Sequence, residues 1–182
     1  MALYDVGKLA ELVANVGTTA RLRNNNKAKG DAMADLVAYI FGEVPGLELR
    51  HRSLVAPDGT SEIDLVFRNR PHVSGLFAGV TLHFECKNES RRISAAQIRV
   101  FASKLQDRNQ PIGIMVSHTG LSGRAGTRMY AHGVVANELH HGRTIVVLSL
   151  DDLAGLIDSD DRVELCVERQ VELETYGIYN SI

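Results

Sequence analysis

The sequence predicts an α/β protein with a central mixed β-sheet flanked by helices. Three observations carry that expectation. Two helix-period segments open the chain, the hydrophobic period then switches to that of strands, and from residue 93 onward helical patterns alternate with short apolar runs of buried-strand type. At 182 residues and 45% hydrophobic content, one domain with a core of its own is the default.

The elements follow in order. Leu3, Val6, Leu9, Leu12, Val13 and Val16 recur at helical spacing, which predicts a helix over residues 2–16 ending near Gly17. Residues 17–30 read as a loop that holds Arg21, Arg23, Lys27 and Lys29 and no acid. A second helix is expected over residues 31–43, with Met33, Leu36, Val37, Ile40 and Phe41 on one face and Pro45-Gly46 as its stop. Residues 47–55 and 62–67 read as a hairpin around the turn Pro57-Asp58-Gly59. Next come a strand over 80–87, a helix over 93–105, a buried strand over 112–117 and a loop over 120–123. A helix over 124–140, a buried strand over 144–150 and a short helix over 151–157 complete the alternation, and residues 163–173 read as an edge strand. The implied organisation is an N-terminal helix with its basic loop (1–28), a core (29–160) and an acidic C-terminal extension (161–182), together one domain.

Composition narrows the function. Net charge is −2, but it is segregated: residues 1–137 hold 17 Lys+Arg against 12 Asp+Glu, a net of +5, and residues 138–182 hold 3 against 10, a net of −7. A basic body can meet a phosphate backbone despite the negative total. Cys86 and Cys166 are too few for a disulfide framework and lack zinc-ligand spacing, so the chain reads as reduced and cytoplasmic. Charges at Asp5, Lys8 and Glu11 break the opening segment, and no later apolar run approaches membrane-spanning length, so no membrane association is expected. His118, His132, His140 and His141 lack the HExxH spacing of a zinc helix. With no Trp and 5% aromatic residues, a stacking platform for single strands is disfavoured.

The chemistry lies on two strands. In Ser61-Glu62-Ile63-Asp64-Leu65-Val66-Phe67, alternation sets Glu62 and Asp64 on one face and Ile63 and Leu65 on the other; in Leu82-His83-Phe84-Glu85-Cys86-Lys87, it sets Glu85 and Lys87 on a common face. Neighbouring strands would thus deliver two carboxylates and an amine to one place. Carboxylates on rigid strands can hold Mg²⁺, which polarises a phosphoryl group and acidifies bound water, and a nearby lysine can orient that water or offset developing negative charge. Without a cation the carboxylates would repel each other.

Asp64 followed 21 positions later by Glu85-Cys86-Lys87 resembles the signature of the PD-(D/E)xK nucleases. The order of the surrounding pieces resembles the restriction-endonuclease-like branch over roughly residues 29–157. These are Lys29-Gly30 before a helix, the hairpin strand, Asn88 after Lys87, a helix, then Gly113-Ile114-Met115-Val116-Ser117 and Thr119-Gly120-Leu121-Ser122. The resemblance implies a restriction-endonuclease-like core in which Asp64 and Glu85 bind Mg²⁺, or Mn²⁺ in its place, and Lys87 is the catalytic lysine. It also implies an acid from the preceding helix, a slot that Asp35 occupies where relatives usually carry Glu, and a polar residue on the following helix, Gln97. The expected activity is DNA endonuclease action of restriction or genome-defence type. Arg21, Arg23, Lys27, Lys29, Arg91 and Arg92 are the candidate DNA contacts, and a homodimer is expected for double-strand cleavage. A junction-resolving nuclease is the alternative within the enzyme class, and a catalytically silent nucleic-acid- or protein-binding member is the alternative outside it.

Overall fold

The structure is a computed structural model that describes residues 4–22, 24–77, 79–124, 130–156 and 159–179. Asp5 opens helix α1 (Val6–Ala20), its carboxylate accepting the Lys8 amide at 3.0 Å. The helix runs past Gly17, where it was expected to end. One glycine inside a helix costs about 1 kcal/mol, and burial of Val16 and Ala20 on either side outweighs that. Helix α2 (Asn26–Gly42) begins five residues before the expected Asp31 because Asn25 caps it, accepting the Ala28 amide at 3.1 Å. The expected basic loop is correspondingly shorter, and Lys27 and Lys29 ride on the opening turns of α2.

Five strands form one sheet in the order β1-β2-β3-β4-β5: β1 (Leu47–Val55), β2 (Glu62–Asn69), β3 (Thr81–Lys87), β4 (Ile112–Ser117) and β5 (Thr144–Ser149). The β1–β2 and β2–β3 pairs are antiparallel and the β3–β4 and β4–β5 pairs parallel, so the sheet is mixed, as predicted. A short turn of helix, α3 (Pro71–Ser74), links β2 to β3 and was not foreseen; α4 (Ala95–Asp107) and α5 (Tyr130–His140) link the parallel strands. Residues 125–129, the expected start of the α5 pattern, lie outside the described residues.

Helices cover both faces of the sheet. Leu65, Phe67, Phe84, Ile114 and Val146 pack toward α1, α2 and the short α6 (Leu150–Ala154). Met115, Ile145 and Val147 pack toward α4 and α5, where Ile98, Phe101, Leu105 and Val135 are buried. Gly113 on β4 allows the second contact: a Cβ there would stand 2.6 Å from both Leu105 Cδ1 and Phe101 Cζ of α4.

The expected edge strand over residues 163–173 is a helix instead, α7 (Ser159–Tyr176). Val163, Leu165 and Val167 alternate as a strand would, but the buried positions are Arg162, Cys166, Arg169 and Leu173, which follow a helical repeat. Two arginines on the inward face hid that repeat. The Arg162 guanidinium lies 4.6 Å from the Tyr4 ring centroid, and Arg169 Nη2 lies 3.0 Å from Asp152 Oδ1. Among the described residues, no helix is long and apolar enough to cross a membrane.

Candidate active site

The β2–β3 ladder runs from Arg68↔Thr81 to Leu65↔Phe84. One step further the Cys86 amide donates to Asp64 Oδ2 at 2.6 Å. The same step of register sets Asp64 opposite Glu85. Strict alternation fails beside it, because Ile63 joins the α4 side of the core while Leu65 joins the α2 side. The strand therefore turns at Asp64, and the carboxylate occupies the mouth of the sheet, half-buried. Asp64 Oδ1 makes no hydrogen bond among the described residues.

Glu85 is 2% exposed and is held by two ammonium groups. Lys87 Nζ stands 2.8 Å from Oε1, while Lys104 Nζ of α4 stands 2.9 Å from Oε1 and 2.7 Å from Oε2. Burial and, secondarily, the Glu85 charge push the Asp64 carboxyl up to about 6. Burial pulls the Lys87 ammonium down, but attraction and hydrogen bonding to Glu85, with help from Asp64 and Glu89, outweigh it and leave its pKa raised. His83, two residues before Glu85, is pulled down to about 4 by burial and by Arg108, so it is neutral near pH 7. Burial raises the Cys86 thiol well above its ordinary range, and the Asp64 and Glu85 charges raise it further, so Cys86 is no thiolate nucleophile.

Two clefts meet at Asp64. One, of about 480 Å³, is lined by Lys27, Gly30 and Asp31 of α2, by Arg52 and by Glu62. The other, of about 310 Å³, is lined by Asn26, Lys29, Lys87, Asn88 and Glu89. Asn88 braces this end of β3: its Nδ2 donates to Val16 O at 3.0 Å and to Thr19 Oγ1 at 2.9 Å, and its Oδ1 accepts from His118 Nδ1 at 3.1 Å. Because an amide oxygen can only accept, the His118 proton is assigned to Nδ1.

Asp64, Glu85 and Lys87 are thus brought together, and Lys27 and Lys29 flank them. Asp35 lines neither cleft: it forms an exposed ion pair at 2.6 Å with Arg52, which does line the larger one, and the α2 acid lining that cleft is Asp31, one turn earlier. Gln97 is committed to the capping box of α4, its Oε1 accepting from the Ser94 amide at 2.9 Å, while its Nε2 donates to Glu89 at 3.1 Å. Arg21 and Arg91 are exposed, Arg92 donates to Leu121 O at 3.0 Å, and Arg23 lies outside the described residues. Sequence reasoning assigned Lys104 no role at this site. The available signal was its position seven residues after Gln97 on the helix that follows the Glu-x-Lys strand, beside the buried Phe101 and Leu105.

The donor set suits a hard cation in type: two carboxylates from adjacent strands, one with a free oxygen and a protonation equilibrium displaced by burial and, secondarily, by its like-charged neighbour. Among the described residues no group of three or more His, Cys, Asp or Glu is placed to hold a metal. A cation here would keep water or substrate oxygens as its remaining ligands, as Mg²⁺ does readily.

Solved structures of similar fold include NucC of P. aeruginosa ATCC27853 in its cAAA-bound form, with 11% identity and a TM-score of 0.55. NucC of E. coli MS115-1, also in a cAAA-bound form, is 13% identical with a TM-score of 0.54; each comparison covers 100% of this chain and 95% of the other. At such identities the likeness is one of fold: a mixed five-stranded sheet flanked by helices. No family model and no curated protein matches the chain.

Proposed function

We propose that this chain is a metal-dependent DNA endonuclease of the PD-(D/E)xK type, acting in restriction or genome defence. The observation that carries the reading is the meeting of Asp64 and Glu85 at the open end of β2 and β3, with Lys87 2.8 Å from Glu85. Asp64 and Glu85 would hold Mg²⁺, which when bound supplies charge on the phosphate and a more acidic water. Lys87, kept protonated by its acidic neighbours, orients that water or offsets charge on the phosphate. Lys27 and Lys29, at the rims of the two clefts, meet the adjoining backbone. The fold-level likeness to NucC across the whole chain supports the architecture that the resemblance implies.

The test is conversion of plasmid and linear DNA with Mg²⁺ or Mn²⁺ by wild type, Lys87→Ala and Glu85→Ala. Each variant is expected to lose activity by about 10²-fold or more. Cleavage that persists unchanged in both would refute the assignment. Branched DNA as a parallel substrate separates a junction-resolving enzyme from one that cuts linear duplex. Double-strand cleavage by one site per chain calls for a homodimer, a proposal that a one-copy mass in light scattering would remove.

A further inference from the structure

Glu85 is held by two lysines where the signature supplies one, and the resemblance assigns nothing to position 104. Lys104 is the closer partner in that it reaches both Glu85 oxygens, at 2.9 and 2.7 Å, while Lys87 reaches one at 2.8 Å. The lysine side chains are 14% and 28% exposed and Glu85 2%, so these charges interact with less screening than surface pairs. Taken together, Asp64, Glu85, Lys87 and Lys104 are neutral before any metal arrives. A divalent cation would leave the half-buried cluster at +2 and would compete with Lys104 for Glu85. A nucleic-acid phosphate in the cleft removes part of that excess.

Resting on the reading above, we propose that Lys104 is a positioning residue that pins Glu85 to α4 and holds metal affinity low until substrate phosphate is present. Metal and nucleic acid then load together, and the free protein stays largely metal-free. The close seat of α4 on β4, which Gly113 permits, is what brings the Lys104 ammonium to Glu85.

The experiment measures Mn²⁺ uptake by the whole chain, through loss of the free-ion electron spin resonance signal, with and without a phosphorothioate-substituted duplex that resists cleavage. Wild type is expected to bind Mn²⁺ at least about tenfold more weakly without the duplex than with it. Lys104→Met is expected to tighten duplex-free binding by about tenfold or more and to shrink the effect of the duplex, and Lys104→Arg to restore the wild-type pattern. Lys104→Gln, which keeps a hydrogen bond to Glu85 without the charge, gives the same comparison should methionine disturb folding. Wild-type uptake that both neutral variants leave unchanged overturns the role of Lys104 alone. No uptake by wild type in either condition overturns the metal-dependent reading as well.

Discussion

Asp64 is a carboxylate that the folded chain disfavours in its charged form. Its pKa rises from 3.8 to about 6 on folding, so the folded state binds more protons than the unfolded state between those values. Stability from this group is therefore full below about pH 4 and is lost as pH rises through about 6. Asp64→Asn removes the penalty and keeps an oxygen to accept the Cys86 amide. Thermal melts without metal should show the variant more stable by about 1–3 kcal/mol at pH 8, with the gap closing toward pH 4. A variant less stable at pH 8 would mean that the carboxylate is not strained there. The shared face of Glu85 and Lys87 was legible in the sequence from period-two alternation, and Asp64 from its place at the start of the apolar run, although the strand turns there. Lys104 was not, because a lysine on an amphipathic helix has the pattern of a solvated residue whether or not it reaches a buried acid. Asp31 was passed over for Asp35 because choosing an acid on a helix requires the helix phase, and Gly30 had been read as the boundary that Asn25 sets.

At the scale of elements, the seat of α4 on β4 connects packing to the site. Gly113→Ala would drive a methyl group into Leu105 and Phe101, at a cost of about 1–3 kcal/mol. The expected outcome is a lower urea midpoint together with tighter duplex-free Mn²⁺ binding, because α4 carries Lys104. Unchanged Mn²⁺ binding alongside lowered stability would separate the packing of α4 from the metal site. The alternation of strands and helices was legible from residue 47 to residue 154, where each apolar run is bounded by turn or capping residues. It failed at α7, whose buried face carries Arg162 and Arg169 and so shows no apolar stripe. Short α3 was missed for a different reason: one turn of helix is too brief to leave a period.

For the whole molecule, the mixed sheet order places the one strand end that β2 and β3 share beside the opening turns of α2, so two acids and several lysines drawn from distant sequence meet at one mouth. The charge division has the same sense, with the basic residues in the body that forms the clefts and the acidic excess gathered from residue 138 onward, α7 included. Anomalous scattering from crystals soaked in Mn²⁺ reads whether that convergence holds a metal. With a non-cleavable duplex also bound, a peak is expected between Asp64 and Glu85, absent in Asp64→Asn. A peak only at other acids, or none between these two, would overturn the site.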